Sequence, residues 1–288
     1  MKKIAIVAPT GMLGSMVYKV LKDKYELVLV YRDADKLQIL EDAYGDVDKH
    51  QKVQLDIASI FNDHIVQPNF SEAIDKIGEV DAVINCAGVI KPYSTKNPSD
   101  TFYINGVFPH LLANAYGSKL IHITTDCAYN GLEDAPYDEK SIKNATDLYG
   151  ISKILGEVSD QSLVLRTSII GPEITGFVSL IEWFKKQSGE TISGFSTHLW
   201  NGITTKEFGN ICDRIISNRS NFPTTGLYHI YGSDVTKYEM VQTFKDKYNV
   251  DVTINEATPP AVDRRLRTIH TLNDKLHIPT FQEMIADL

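Results

Sequence analysis

The stretch IAIVAPTGMLG, Ile4–Gly14, runs from an apolar segment through a turn into a helical pattern. Ile4–Val7 has the short, uninterrupted apolar character of a buried strand, and Leu13, Met16, Val17, Val20 and Leu21 then recur at helical spacing. Between the two, Ala8, Gly11 and Gly14 occupy the three glycine positions of a G-x-x-G-x-x-G turn. Glycine lets the backbone approach a pyrophosphate, whose charge lies against the amides at a helix N-terminus. Gly11 is the expected point of close approach, and Gly14 is expected to let the helix pack near the strand. Ala8 suits the first position only if its φ stays negative, and Pro9 stiffens the turn. Alone, the pattern fits an ordinary βα turn equally well.

Further along, strand-like and helix-like segments alternate. Leu27–Tyr31, Lys52–Leu55, Ala82–Asn85, Leu120–Thr124 and Leu163–Arg166 read as strands. Asn97-Pro98 starts a helix, with Asn97 as cap and Pro98 at the first helical position. Strands separated by helices imply parallel pairing with right-handed crossovers, hence an α/β doubly wound parallel sheet that presents ligands at its carboxyl edge. Past Gly171 the alternation loosens. Gly176–Lys186 and Lys206–Ser217 read as helices and Leu227–Tyr231 as a strand. The expected division is a dinucleotide-type domain over 1–172, continued by about 203–232, and a smaller C-terminal substrate-binding region over 173–202 and 233–288.

Composition bounds the function. The 288 residues are 43% hydrophobic and 23% charged, with a formal net charge of -8. That balance suits a soluble fold and argues against a nucleic-acid or anionic-membrane surface. The apolar run at the N-terminus is too short for a signal peptide, and no stretch is long enough to span a bilayer. Cys86, Cys127 and Cys212 are far apart and odd in number. No disulfide framework or metal site is expected, and a reducing cytoplasm is the expected location.

Candidate site residues fall at successive strand ends. Tyr31-Arg32-Asp33 closes the second strand, about 20 residues after the glycine turn, where an acid commonly grips a ribose hydroxyl. Arg32 suits a 2′-phosphate and so favours NADP, while Asp33 keeps NAD open. Asp56 is placed to accept from an adenine amine, with Ile57 beside it, and Ala87 and Gly88 leave room for a cofactor after the fourth strand. Thr125 ends the fifth strand in KLIHITTD, Lys119–Asp126. Tyr149 and Lys153, four apart, share one helix face. A phenol, with a pKa of about 10, needs a nearby cation to part with its proton at neutral pH.

With these pieces in place, the chain resembles the extended short-chain dehydrogenase/reductase superfamily, and within it the dTDP-4-dehydrorhamnose reductase branch. The carriers of the resemblance are TGMLG (Thr10–Gly14), NCAG (Asn85–Gly88), FYINGVFPHLLA (Phe102–Ala113), ITTD (Ile123–Asp126), YGISKILGE (Tyr149–Glu157) and LVLRTSIIGP (Leu163–Pro172). The resemblance implies a Rossmann-type fold and a catalytic triad of Thr125, Tyr149 and Lys153, with Asn105 supporting the Lys153 side. It implies Thr10, Gly11, Met12 and Leu13 at the pyrophosphate, and Ala87 and Gly88 at the cofactor's inner face. The substrate implied is a nucleotide-linked deoxy sugar of polysaccharide biosynthesis. Its contacts are expected from Val89, Thr125, Trp200, Asn201 and one arginine of the 264–267 cluster, assigned to Arg265; core packing is the competing role for Trp200.

The reaction implied is NADP(H)- or NAD(H)-dependent reduction of a keto group, at C4, with Tyr149 giving the proton. Three rivals are set against it. A nucleotide-sugar dehydratase needs an acid after the Thr-Asp pair, where this chain has Cys127. An epimerase-reductase of the GDP-fucose-synthase type would use the Cys127 thiol, with only His198 as a second acid. A non-catalytic NADP-binding regulatory subunit, as in methionine adenosyltransferase, is the third. A homodimer is left open.

Overall fold

Strands with apolar residues on both faces can be stable only if both faces are covered. The computed structural model, which describes residues 1–64, 68–133 and 135–288, meets that condition. β1 (Lys3–Val7), β2 (Glu26–Tyr31), β3 (Gln51–Gln54), β4 (Ala82–Asn85), β5 (Leu120–Thr125), β6 (Leu163–Thr167) and the strand Gly226–His229 form one parallel sheet. Its order is the 226–229 strand, β6, β5, β4, β1, β2, β3. The chain steps outward one way from β1 and the other way from β4, so the crevice between their carboxyl ends is the switch point of the sheet.

Alternation along β1 sends Ile4 and Ile6 to one face and Ala5 and Val7 to the other. The first face is covered by α1 (Met12–Leu21), through Leu13, Val17 and Leu21, and by the helix Thr205–Ser217, through Phe208, Ile211 and Ile215. The second is covered by the helix Pro68–Ile77, through Ala73 and Ile77, and by the helix Phe108–Tyr116, through Phe108 and Leu112. A third apolar cluster, with Phe184, Trp200, Met240, Phe244 and Phe281, gathers the later segments beyond the carboxyl edge.

Most expected elements stand where their periodicity places them. Asn97 accepts from the Asp100 N–H and Pro98 opens the helix Pro98–Phe102. One expectation needs correction. The helix read over Gly176–Lys186 is confined to Leu180–Lys185. Gly176 and Phe177 take φ of 87° and 53°, which no helix accommodates, and the Glu173 carboxylate accepts from the Val178 and Ser179 amides instead. The last sheet strand also stops at His229, short of Tyr231.

A buried charge network holds β6 to the helix Leu148–Leu155. Arg166 is fully buried and donates to both Glu157 oxygens, at 2.6 and 2.7 Å from Nη2. Its Nη1 donates to the Tyr129 hydroxyl at 2.6 Å and to His229 Nε2 at 2.8 Å. His229 Nδ1 in turn donates to the Arg267 carbonyl at 2.8 Å. Burial and the adjacent Arg166 push the His229 imidazole down from 6.5 to about 4, so it is neutral in the folded state. The unfolded chain therefore takes up this proton first as pH falls, and the stability His229 contributes above pH 6.5 is lost between about 6.5 and 4. Urea denaturation across that window is expected to show a falling midpoint in wild type and a flatter profile in His229→Gln. Parallel profiles would contradict this.

Candidate functional site

The phosphate-type turn is shaped by Ala8. Its N–H donates to Val30 O at 2.9 Å, and its φ is 59°. This overturns the expectation of a negative φ: alanine here adopts the left-handed conformation usual for glycine. Gly14 follows from the same turn, because a Cβ there would run into the Ala8 carbonyl. Gly11 caps α1 without a side chain, and the first intrahelical bond is Ser15 N to Gly11 O. Among the described residues the Met12, Leu13 and Gly14 amides have no hydrogen-bond partner, as the first turn of any helix leaves them. Thr10 and Met12 are half-buried, whereas the Leu13 side chain is core, so Leu13 offers its backbone only.

At the next strand ends, Arg32 is exposed, while Asp33 Oδ1 caps the following helix by accepting from Asp35 N and Lys36 N. Asp56 is exposed and accepts from Ala58 N at 3.2 Å; Ile57 packs against the core. After β4, the Asn85 side chain accepts from Ala87 N at 3.1 Å. Asn105 clamps Val89, accepting its N–H at 2.8 Å and donating to its carbonyl at 2.9 Å. Its amide also donates to Ser152 Oγ at 3.1 Å, which is how it supports the Lys153 helix. Gly88 lies open beside these groups, and a Cβ on it would stand 3.8 Å from Lys153 Nζ.

Asp147 caps the helix Leu148–Leu155, accepting from Gly150 N at 2.8 Å. Gly150 permits that helix to sit against the Cys127 carbonyl, which a Cβ would strike. Tyr149 thereby meets the end of β5, where the Thr125 hydroxyl lies near enough to act on its phenol. Thr125 also accepts from Cys127 N at 3.1 Å and donates to Asp126 at 3.2 Å. Burial, with Cys127, Asp126 and Asp147 adding to it, pushes the Tyr149 phenol above its ordinary range. Lys153 is buried one helical turn on, donating to Ile123 O at 2.9 Å, and burial lowers it to about 8. The sequence led us to expect Lys153 to draw the phenol down. Here the charges acting on Tyr149 are acidic and the phenol is held protonated, the form a proton donor requires.

Three expected substrate contacts are corrected. Trp200 is 4% exposed, edge-on to Phe281 with the Lys237 ammonium over its ring, so no face is left for a base. Asn201 spends its amide on Asp234 and on both backbone groups of Leu266. Arg265 is paired with Asp263 and Asp234. Arg264 is the arginine turned to the site: it donates to the Tyr129 and Asn130 carbonyls and acts on Asp126, Cys127 and Asp147. Sequence reading missed Lys237 and Asp126. Asp126 is buried beside Thr125, and Lys237, lowered to about 8 by burial, is raised in turn by Asp126. Only the TTD motif signalled Asp126; nothing in the sequence signalled Lys237.

Burial pushes the Cys127 thiol up to about 12, and His198 is engaged by the Pro260 carbonyl and Phe195. Among the described residues there is no group of three or more His, Cys, Asp or Glu able to hold a metal, and no helix long and apolar enough to cross a membrane.

Comparison with known proteins adds the following. The family model described as RmlD substrate binding domain matches residues 1–272. Methionine adenosyltransferase 2 subunit beta of Xenopus tropicalis is 24% identical over 269 residues, covering 86% of this chain and 73% of that protein. The probable low-salt glycan biosynthesis reductase Agl14 of Haloferax volcanii is 24% identical over 268 residues, covering 88% and 82%. Among solved structures, dTDP-4-dehydrorhamnose reductase from Bacillus anthracis in complex with NADP superposes with a TM-score of 0.72 at 18% identity, covering 99% of this chain and 98% of that one.

The geometry of Ala8 yields a test. Replacing it by glycine removes about 1–2 kcal/mol of left-handed strain, against about 0.4–1 kcal/mol of added unfolded-chain entropy. Ala8→Gly is therefore expected to raise urea stability by about 0.5–1 kcal/mol, whereas Gly14→Ala lowers it. A destabilised Ala8→Gly would mean that the turn is not strained at this position.

Proposed function

The chain belongs to the RmlD substrate binding domain family, and from that premise we propose that it is an NADP(H)-dependent reductase of a keto group, at C4, in a nucleotide-linked deoxy sugar. The observation that carries the reading is the convergence of Tyr149 and the buried Lys153, one helical turn apart on the helix Leu148–Leu155, on the end of β5, where Lys153 donates to Ile123 O and Thr125 stands beside the phenol.

The residues at the strand ends suit a dinucleotide. Uncapped amides at Met12 and Leu13 suit a pyrophosphate, with Thr10 and Gly11 forming the approach. Arg32, exposed at the end of β2, suits a 2′-phosphate, while one oxygen of Asp33 is already committed to a helix cap; this favours NADP over NAD. Asp56 and Ile57 border the adenine end, and Ala87 and Gly88 the inner face. Among the described residues the Lys153 ammonium donates to Ile123 O alone, which leaves protons for a ribose. When bound, the reduced nicotinamide supplies a hydride to the substrate carbon.

The chain's own part is proton handling and orientation. Thr125 holds the carbonyl oxygen, and Tyr149 donates its proton to that oxygen as negative charge develops there. Lys153 holds the ribose with its remaining ammonium protons. Val89 offers its side chain to the sugar, since Asn105 occupies its peptide groups. Arg264 and Lys237 take the place expected of Arg265 in meeting the diphosphate. An exposed apolar face bearing Phe102, Val107, Ile151 and Leu155 supports a homodimer.

NADPH oxidation against a panel of 4-keto nucleotide sugars tests the reading. Tyr149→Phe is expected to lower kcat by about 10²–10⁴-fold while NADPH affinity stays within about twofold. Turnover near wild type would remove Tyr149 from the acid role, and no turnover with any substrate would favour a regulatory NADP binder. A thiol as hard to ionise as Cys127 makes a poor base. Cys127→Ser is expected to keep reductase turnover, with no solvent deuterium at C3 or C5 of the product; deuterium in the wild-type product would favour the epimerase-reductase.

A further inference from the structure

Asn85, at the end of β4, is fully buried, and its amide is used at both ends. Its Oδ1 accepts from Ala87 N at 3.1 Å, fixing the first peptide of the turn that carries Gly88. Its Nδ2 faces Nδ1 of His122 at 3.1 Å, and the two residues are register partners across β4 and β5. Because Oδ1 is committed to a backbone donor, the end that meets His122 is the amino group, and His122 Nδ1 must accept. Burial, reinforced by Lys153 and His110, holds the imidazole neutral, so its one proton is on Nε2. That Nε2 is buried and has no hydrogen-bond partner among the described residues. A buried donor without a partner is a standing cost, and an apolar side chain at this position would avoid it. What the imidazole supplies in exchange is the acceptor on Nδ1.

We infer that His122 is a positioning residue for the dinucleotide: its Nδ1 secures the Nδ2 end of the Asn85 amide, whose Oδ1 holds the backbone of the Ala87–Gly88 turn. The inference rests on the dinucleotide groove proposed above. The far end of the same turn is held separately, by Asn105 on both peptide groups of Val89. The segment between the two amide clips is the one that borders the cofactor. Without an acceptor at residue 122, the Asn85 amide is held by the Ala87 N–H alone and its Nδ2 is left buried without that partner, so the clip on that end of the turn is weakened.

Two measurements test this. A long-range nitrogen–proton NMR correlation on wild-type protein with isotope-labelled histidine reads the tautomer directly. A bare Nδ1 with the proton on Nε2 is expected, and a protonated Nδ1 overturns the inference whether or not any nucleotide binds. NADPH and NADH are then titrated, by nucleotide fluorescence, into wild type, His122→Asn and His122→Leu. Asparagine restores an acceptor close to the Nδ1 position and leucine does not. The Kd is expected to rise about tenfold in His122→Leu, equivalent to about 1.4 kcal/mol, and to stay within about threefold in His122→Asn. Equal losses in both variants, or none in the leucine variant, overturn the inference. If His122→Leu does not fold, the tautomer spectrum and the asparagine variant decide. Wild-type protein that binds neither nucleotide overturns the reading of the groove itself, an outcome the tautomer spectrum keeps separate.

Discussion

The buried pair between Glu157 and Arg166 is the constraint on which the rest of the site depends. Arg166 lies on β6, one strand in from the sheet edge, with no exposure, and two carboxylate oxygens, a phenol and an imidazole surround it. Removing one partner would leave a charge in the interior, a loss of about 3–5 kcal/mol. The pair fixes the end of the helix that carries Tyr149 and Lys153 against the strand next to β5, which carries Thr125. The same guanidinium, through Tyr129 and His229, holds the segment after β5 and the C-terminal stretch at Arg267. Three parts of the chain distant in sequence are thus set by one fully satisfied polar cluster.

Much of the cofactor half was legible in the sequence, for physical reasons. A parallel sheet covered on both faces writes itself as continuous apolar runs, so Ile4–Val7, Ala82–Asn85 and Leu163–Arg166 could be found without reference to neighbours. Tyr149 and Lys153 are one helical turn apart, and helical spacing alone brings them to one face. The substrate half was less legible because its contacts are non-local. Arg265 stands in a basic cluster, and only the fold reveals that Asp263 and Asp234 already claim it. Trp200 could have lined a groove; it is buried because Phe281, near the end of the chain, packs against it. Ala8 was misread for a different reason: sequence gives residue type, while φ there is set by the close passage of Gly14.

The electrostatics of the site centre on which groups remain protonated. Acidic neighbours and burial keep the Tyr149 proton in place, while burial draws Lys153 and Lys237 down to about 8. Asp126, itself raised by burial, is held between Thr125, Ser168 and the cations Arg264 and Lys237. An oxygen that gains negative charge beside Thr125 would find a proton and two cations already arranged, so little reorganisation is needed as the charge appears.

The covering of α1 by the helix Thr205–Ser217 bears on how the protein is made. That face of the sheet is completed by residues synthesised long after β1–β6, and the edge strand Gly226–His229 arrives later still. A nascent chain ending near Pro172 has the six strands β1–β6, yet one flank of apolar surface is bare. Until Thr205–Ser217 is made, a growing chain therefore carries that flank uncovered, the kind of surface through which partly made proteins associate with one another.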